Sequence, residues 1–206
     1  MESRSGRNKR DSALNLIVKP DIMDEMLRKV VHFFLGLGIA IAIPLFDRQM
    51  VLAAFVIAIF AGFIVSDALS RGYTIPLISR VIALLERKDV LPGKGTLYFA
   101  IGVFFCLVFF PLSVVVPAVI CLAVLDGVAT IVGVRFGRHR IWKGKSLEGT
   151  LAGIGATIVA LVILTSLSPF LVLTAAVIAG IVELLTPVDD NLVIPVSVCI
   201  VLTLLH

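Results

Sequence analysis

Four stretches of this 206-residue chain carry residues able to do chemistry. In the first, LDGVATIVGVRFGRHRIWKGKSLEGTLAG (125–153), one acid, Asp126, interrupts an apolar run. A charge at the centre of a membrane helix costs about 2.5–3.5 kcal/mol, so such an acid faces protein or a water-filled cleft. There it offers a ligand for Mg²⁺ or a proton acceptor. A plain helix-packing role is the alternative. Thr130, Gly133 and Gly137 follow at helical spacing and give that helix a small, polar face. Next comes a basic loop with Arg135, Arg138, His139, Arg140, Lys143 and Lys145, which offers positive charge to phosphate. Ser146 then suits an N-cap, and the backbone N–H groups of a helix start make an anion site. Glu148 in that first turn complements the helix dipole, and could also serve as a second metal ligand or catalytic carboxylate.

The other three stretches are shorter. In LPGKGT (91–96), Gly93 and Gly95 permit close backbone approach to a ligand, and Lys94 can reach phosphate or snorkel to an interface. In ELLTPVDDN (183–191), Asp189, Asp190 and Asn191 offer hard oxygen ligands for Mg²⁺, or a capped turn. Arg28, Lys29 and His32 could anchor a helix at an interface or join a site, and Asp67 could cap or orient. Cys106, Cys121 and Cys199 all fall in apolar runs and read as core residues. Gly144-Lys145-Ser146 looks like the tail of a P-loop, but His139 stands where its first glycine belongs and no strand precedes it.

The elements that must position these residues are apolar helices. The chain is 59% hydrophobic, above the composition of soluble domains. Several runs approach the ~20 residues of a bilayer-spanning helix. Backbone groups in lipid must be bonded within the segment, and no alternating barrel pattern is present. The expectation is an all-α, polytopic transmembrane bundle of about seven spans: 30–46, 49–65, 96–111, 113–134, 148–168, 170–185 and 192–205. Pro111 and Pro117 are placed at the connection between the third and fourth. The first run starts too far in for a typical cleaved signal peptide and reads as a retained span. Residues 1–19 read as a disordered basic tail, with a helix start at Pro20-Asp21, and 20–206 as a single transmembrane catalytic domain. Ile75–Leu85 is amphipathic and suits the membrane surface.

The charges fix an orientation. Residues 1–29 carry seven Lys and Arg, 66–95 carry five, and 135–147 carry five. Arg48 alone falls in a connection on the other side. This bias places the N-terminus in the cytoplasm and His206 outside or in a lumen. Asp67, Asp126, Glu148, Glu183, Asp189 and Asp190 fall on the same cytoplasmic side. A positive-inside bias does not require that; a shared site does.

Taken together, Leu27–His32, Pro92–Thr96, Asp126–Gly153 and Glu183–Pro195 resemble the CTP-dependent polyprenol kinase family, which includes dolichol kinase, phytol kinase and a CTP-using diacylglycerol kinase. The most specific element is Asp-x-x-Ala, then glycines, then Lys-Ser-x-Glu-Gly. Two departures stand out: Leu125-Asp126 replaces a frequent Gly-Asp, and the chain is shorter than eukaryotic dolichol kinases, nearer to archaeal or bacterial members.

The resemblance implies a multi-pass membrane enzyme that moves the γ-phosphoryl group of CTP to a long-chain lipid alcohol, dolichol or polyprenol first, with Mg²⁺ or another divalent cation. Asp126 falls at the family's central acid, and Asp126, Glu148 and Lys145 are the candidate catalytic residues, with Asp126 our choice of proton acceptor. Nucleotide binding falls to Gly93, Lys94, Gly95, Arg135, Arg138, Arg140, Lys143, Ser146 and Gly149. Metal binding falls to Asp126, Glu148, Asp189 and Asp190. The expected location is the cell membrane, or the endoplasmic reticulum membrane in a eukaryote, with lipid alcohol, CTP and membrane lipids as partners and no nucleic acid. A phytol- or diacylglycerol-type kinase, or another nucleotide-using lipid enzyme, is the nearest alternative. A small ion-coupled transporter is the alternative from another class. CDP-alcohol phosphotransferases fit worse, because Asp126-Gly127 lacks their following Arg and later acids. Phosphatidate cytidylyltransferases fit worse too, because their long C-terminal signature is missing.

Overall fold

The computed structural model describes residues 22–73, 92–142 and 144–205. The expected basic tail, the Ile75–Leu85 segment and Lys143 lie outside them. Seven α-helices are described: α1 (Ile22–Ala42), α2 (Arg48–Ser70), α3 (Lys94–Phe109), α4 (Leu112–Phe136), α5 (Leu147–Leu164), α6 (Pro169–Leu185) and α7 (Asp190–Leu205). The all-α bundle agrees with the apolar pattern. Four helical stretches, Met26–Leu45, α2, α4 and α5, are long and apolar enough to cross a membrane, while α3, α6 and α7 are shorter apolar helices.

α4 is the axis of the bundle. Its sequence is apolar on all sides, the pattern of a helix enclosed by others. Almost every residue from Val114 to Gly127 is buried, Asp126 included. It packs most extensively on α5, then on α1 and α7. Small residues bring α4 and α5 together. A Cβ on Gly149 would meet the Gly133 Cα at 3.0 Å, and one on Gly153 would meet the Ala129 Cβ at 3.1 Å. Such stripes let helix backbones approach closely where lipid offers no hydrophobic drive. α2 lies at the periphery against α3, burying only Val51 and exposing Phe60, Phe63 and Ile64.

Two expectations are corrected. Pro111 does cap α4, but Pro117 lies inside that helix rather than in the connection before it. A helix enclosed by neighbours tolerates the lost backbone bond that would break an exposed one. The basic segment is also more than a loop. Arg140–Trp142 (β1) pairs antiparallel with Lys145–Ser146 (β2), with Arg140 opposite Ser146 and Trp142 opposite Lys145. Gly144, at φ +82°, makes the turn that this hairpin needs.

Chain alternation carries the chemistry-bearing residues to one end. The starts of α3, α5 and α7 meet the ends of α4 and α6 and the first turns of α1 there. At the other end Arg48 donates to the carbonyls of Leu107, Val108 (3.3 Å) and Phe110 (3.1 Å), closing the C-terminus of α3.

Candidate functional site

Two ion pairs organise the polar end. Lys29 on α1 places Nζ 2.6 Å from both Oδ1 and Oδ2 of Asp126 on α4. The Asp126 residue is only 5% exposed. Lys145 on β2 places Nζ 2.8 and 2.7 Å from the two carboxylate oxygens of Asp190, the first residue of α7. The same ammonium also donates to the Glu183 carbonyl in the last turn of α6, where the helix dipole favours a cation, and lies 3.7 Å from Glu183 Oε1. Glu183 is buried, and its Oε2 accepts from the Thr150 hydroxyl at 2.8 Å.

The pairs belong to one electrostatic unit. Asp126 interacts with Lys145 and His32 as well as with Lys29, and Asp190 interacts with Asp126 and Glu183. Among the described residues, the carboxylates of Asp126, Glu183 and Asp190 face the ammonium groups of Lys29 and Lys145 there.

Asn191 joins three helices. Its side-chain Nδ2 donates to the Gly95 carbonyl at 3.4 Å, and its Oδ1 accepts from His32 Nε2 at 3.0 Å. That arrangement puts an imidazole proton on Nε2. His32 also meets Phe99 edge-on, with ring centroids 5.5 Å apart. Gly93 caps α3 at φ +82°, a left-handed conformation natural to glycine, so the Pro92–Thr96 turn folds back against Asn191. Asp189 Oδ1 accepts from the Asn191 backbone N–H at 3.2 Å, so Asp189 acts at the start of α7 as a capping residue.

The hairpin forms the outer wall. Ser146 caps α5, its hydroxyl accepting from Gly149 N–H at 3.1 Å, and is itself buried. Gly149 serves the α4–α5 contact. Glu148 turns to the hairpin: its carboxylate accepts from the backbone N–H of Arg138 (3.1 Å) and His139 (3.2 Å) and meets His139 Nδ1 at 2.6 Å. Arg135, Arg138 and Arg140 are exposed around it. Arg140 donates to the carbonyls of Gly144 and, at 3.4 Å, Gly133. Lys94 lies over the Tyr98 ring at 5.3 Å.

Of the residues expected from sequence, the structure thus gathers Asp126, Lys145, Asp190, Gly95 and Asn191. Glu148 is engaged by the hairpin, and Asp67 pairs with Arg71 at 2.8 Å on exposed α2. Lys29 and Glu183 are central rather than accessory, and Thr150 was not anticipated. Its only sequence signal is its place four residues after Ser146, on the inner face of α5. Among the described residues no three of His, Cys, Asp and Glu stand close enough to hold a metal on their own. Asp126 and Asp190 each offer carboxylate oxygens of the kind Mg²⁺ takes together with substrate phosphates.

Comparison with known proteins agrees with this chemistry. An uncharacterized protein of Methanocaldococcus jannaschii is 31% identical across 87% of this chain and 93% of its own length. The farnesol kinase of Arabidopsis thaliana is 30% identical across 88% of this chain. The chain belongs to one family with this archaeal protein, and its similarity to plant isoprenoid-alcohol kinases supports a kinase family. A probable phytol kinase of Glycine max is 32% identical across 65% of this chain. The chain spans 66% of the farnesol kinase and 44% of the phytol kinase, and nearly the whole of the archaeal protein. No protein-family model matches the chain, and no solved structure matches it.

Proposed function

We propose that this protein is a membrane kinase that transfers the γ-phosphoryl group of CTP to the hydroxyl of an isoprenoid alcohol, of the polyprenol or dolichol type, at the cytoplasmic face. The observation that carries the reading is the convergence of Lys29–Asp126 and Lys145–Asp190 at one end of an apolar bundle. That placement suits an acceptor with its tail in the bilayer and its hydroxyl at the edge, and a donor arriving from water. Farnesol kinase and phytol kinase relatives support the acceptor class.

Phosphoryl transfer needs positioning and charge stabilisation more than covalent chemistry. Asp126 holds the acceptor hydroxyl and takes its proton. The hydroxyl oxygen forms a bond to the γ-phosphorus, the bond from that phosphorus to the β–γ bridging oxygen breaks, and CDP leaves. Lys145, Lys94 and the arginines of the hairpin receive the phosphates. Lys145 is held by the Asp190 carboxylate in the free protein, and phosphate displaces that partner. Asp126 and Asp190 are the residues that would hold Mg²⁺ together with phosphate oxygens, and the ion would neutralise charge on the β- and γ-phosphates. Glu148 acts through the hairpin, holding the basic segment over the site.

The test is incubation of purified protein in lipid micelles with Mg²⁺ and γ-labelled CTP or ATP, against farnesol, phytol, a polyprenol and a diacylglycerol. Label passing from CTP to an isoprenoid alcohol supports the proposal. Label passing from ATP alone, or to diacylglycerol alone, replaces the donor or the acceptor. No label on any alcohol overturns the kinase assignment.

A further inference from the structure

An open apolar groove of about 370 Å³ runs between α1, α4 and α5, at the small end of the range for ligand sites. Phe33 and Leu37 line it from α1, Val124 and Val128 from α4, and Gly155 and Val159 from α5. We propose that this groove seats the first isoprene units of the alcohol substrate, and that Gly155 sets how freely the chain enters. The proposal rests on the kinase reading above and names the binding surface which that reading requires.

Continuity with the polar end is the first argument. Phe33 lies one helical turn beyond Lys29, whose ammonium is bonded to Asp126. Val124 and Val128 lie within one turn of Asp126 along α4, on the face turned away from its carboxylate, so Phe33 and Gly127 are what join the groove to the ion pair. The Phe33 side chain packs on Gly127, the residue after Asp126, and a Cβ there would meet the Phe33 Cβ at 3.2 Å. The groove therefore begins within about one turn of the buried ion pair.

The charge pattern along its walls is the second. Glu148, Ala152, Gly155 and Val159 recur at spacings of four, three and four, which places them on one face of α5. Val128 and Arg135 lie two turns apart on one face of α4. Each wall is charged toward the hairpin and apolar away from it, the polarity of a lipid alcohol with its hydroxyl at the mouth.

Length is the third. The groove follows α5 from Gly155 to Leu164, nine helical steps, or about 13.5 Å of rise. An isoprene unit advances about 5 Å over its four chain bonds of about 1.5 Å each. About three units fit, and the open side lets a longer chain pass into the bilayer.

Gly155 makes the proposal testable. Nothing lies within 4 Å of where its Cβ would be, so the fold has room there for a side chain, and that side chain would occupy the groove. Gly155→Phe is expected to raise the KM for farnesol about tenfold or more, with the KM for the nucleotide unchanged. Unchanged KM values for both substrates in a folded Gly155→Phe protein would overturn the proposal. Photolabelling of the wild-type protein by a diazirine-bearing farnesol analogue in micelles supplies the second measurement, independent of turnover and of how the variant folds. Label concentrated on Val159 and Leu164, and competed by farnesol but not by phospholipid, supports the groove even if no phosphoryl transfer is detected and the kinase reading fails. Label spread equally to Phe60 and Ile64 on the outer face of α2, or competed by phospholipid, assigns the groove to bulk lipid and rejects it.

Discussion

Lys29 and Asp126 stand 97 positions apart in the chain, yet the ammonium of one lies 2.6 Å from both carboxylate oxygens of the other inside the bundle. The pair ties the first helix to the central one at the level where the polar end begins. It also keeps a carboxylate charged and aimed in a place where an isolated charge would not persist.

Removing one partner leaves the other charge buried and unpaired, a loss of about 3–5 kcal/mol. Lys29→Met alone should therefore lower the thermal stability of the purified protein sharply. Lys29→Met combined with Asp126→Asn should recover most of that loss while remaining inactive. Melting temperatures of the two single variants and the double variant in one detergent check this. Additive losses in the double variant would mean that the two residues do not depend on each other.

Lys145 is bonded to Asp190 and to the Glu183 carbonyl, so it holds the hairpin to the starts and ends of two helices. Lys145→Ala should raise the KM for the nucleotide about tenfold or more, because a charge-assisted phosphate contact is lost. Lys145→Arg should recover part of it. Steady-state kinetics decide: an unchanged KM and kcat would reduce the lysine to a topological signal.

In the proposed mechanism Glu148 acts through the hairpin rather than on the reacting atoms. Glu148→Gln keeps the shape but weakens the contacts with His139 and the backbone of 138–139. Hydrogen exchange at 138–142 should quicken, and the activity loss should be smaller than that of Asp126→Asn. Unchanged exchange with abolished turnover would move Glu148 into the catalytic centre.

Gly149 and Gly155 should respond oppositely to added bulk. A side chain at Gly149 meets the backbone of α4, so Gly149→Val should destabilise by about 1–3 kcal/mol or more. Gly155→Ala faces open space and should be close to neutral, since replacing a mid-helix glycine by alanine also favours the helix. Thermal melts of both variants test the contrast, and equal melting temperatures would contradict it.

Much of this was legible before the structure. Apolar runs give the helices, because an apolar helix bundle is marked by length and hydropathy more than by particular side chains. Asp126 stood out because a charge in an apolar run is costly enough to demand a reason. Pairings were not legible. Nothing local marks Lys29, beside Arg28 and His32, as the partner of Asp126, since helix packing alone brings them together. Glu183 gave no sign that it would be buried and would accept from Thr150. Pro117 reads as a helix breaker by propensity, and only the enclosure of α4 makes it tolerable. Nothing local shows that the turn at Gly144 folds the backbone donors of 138–139 onto Glu148.

The most direct test of the central claim is the initial rate of label transfer from γ-labelled CTP to an isoprenoid alcohol, for the wild type and for Asp126→Asn side by side in the same micelles. The account predicts transfer by the wild type, its loss when Mg²⁺ is chelated, and a fall of about 10²–10⁴-fold in the folded variant. Equal rates for the two proteins would contradict it, because the buried acid would then be only a strut between helices.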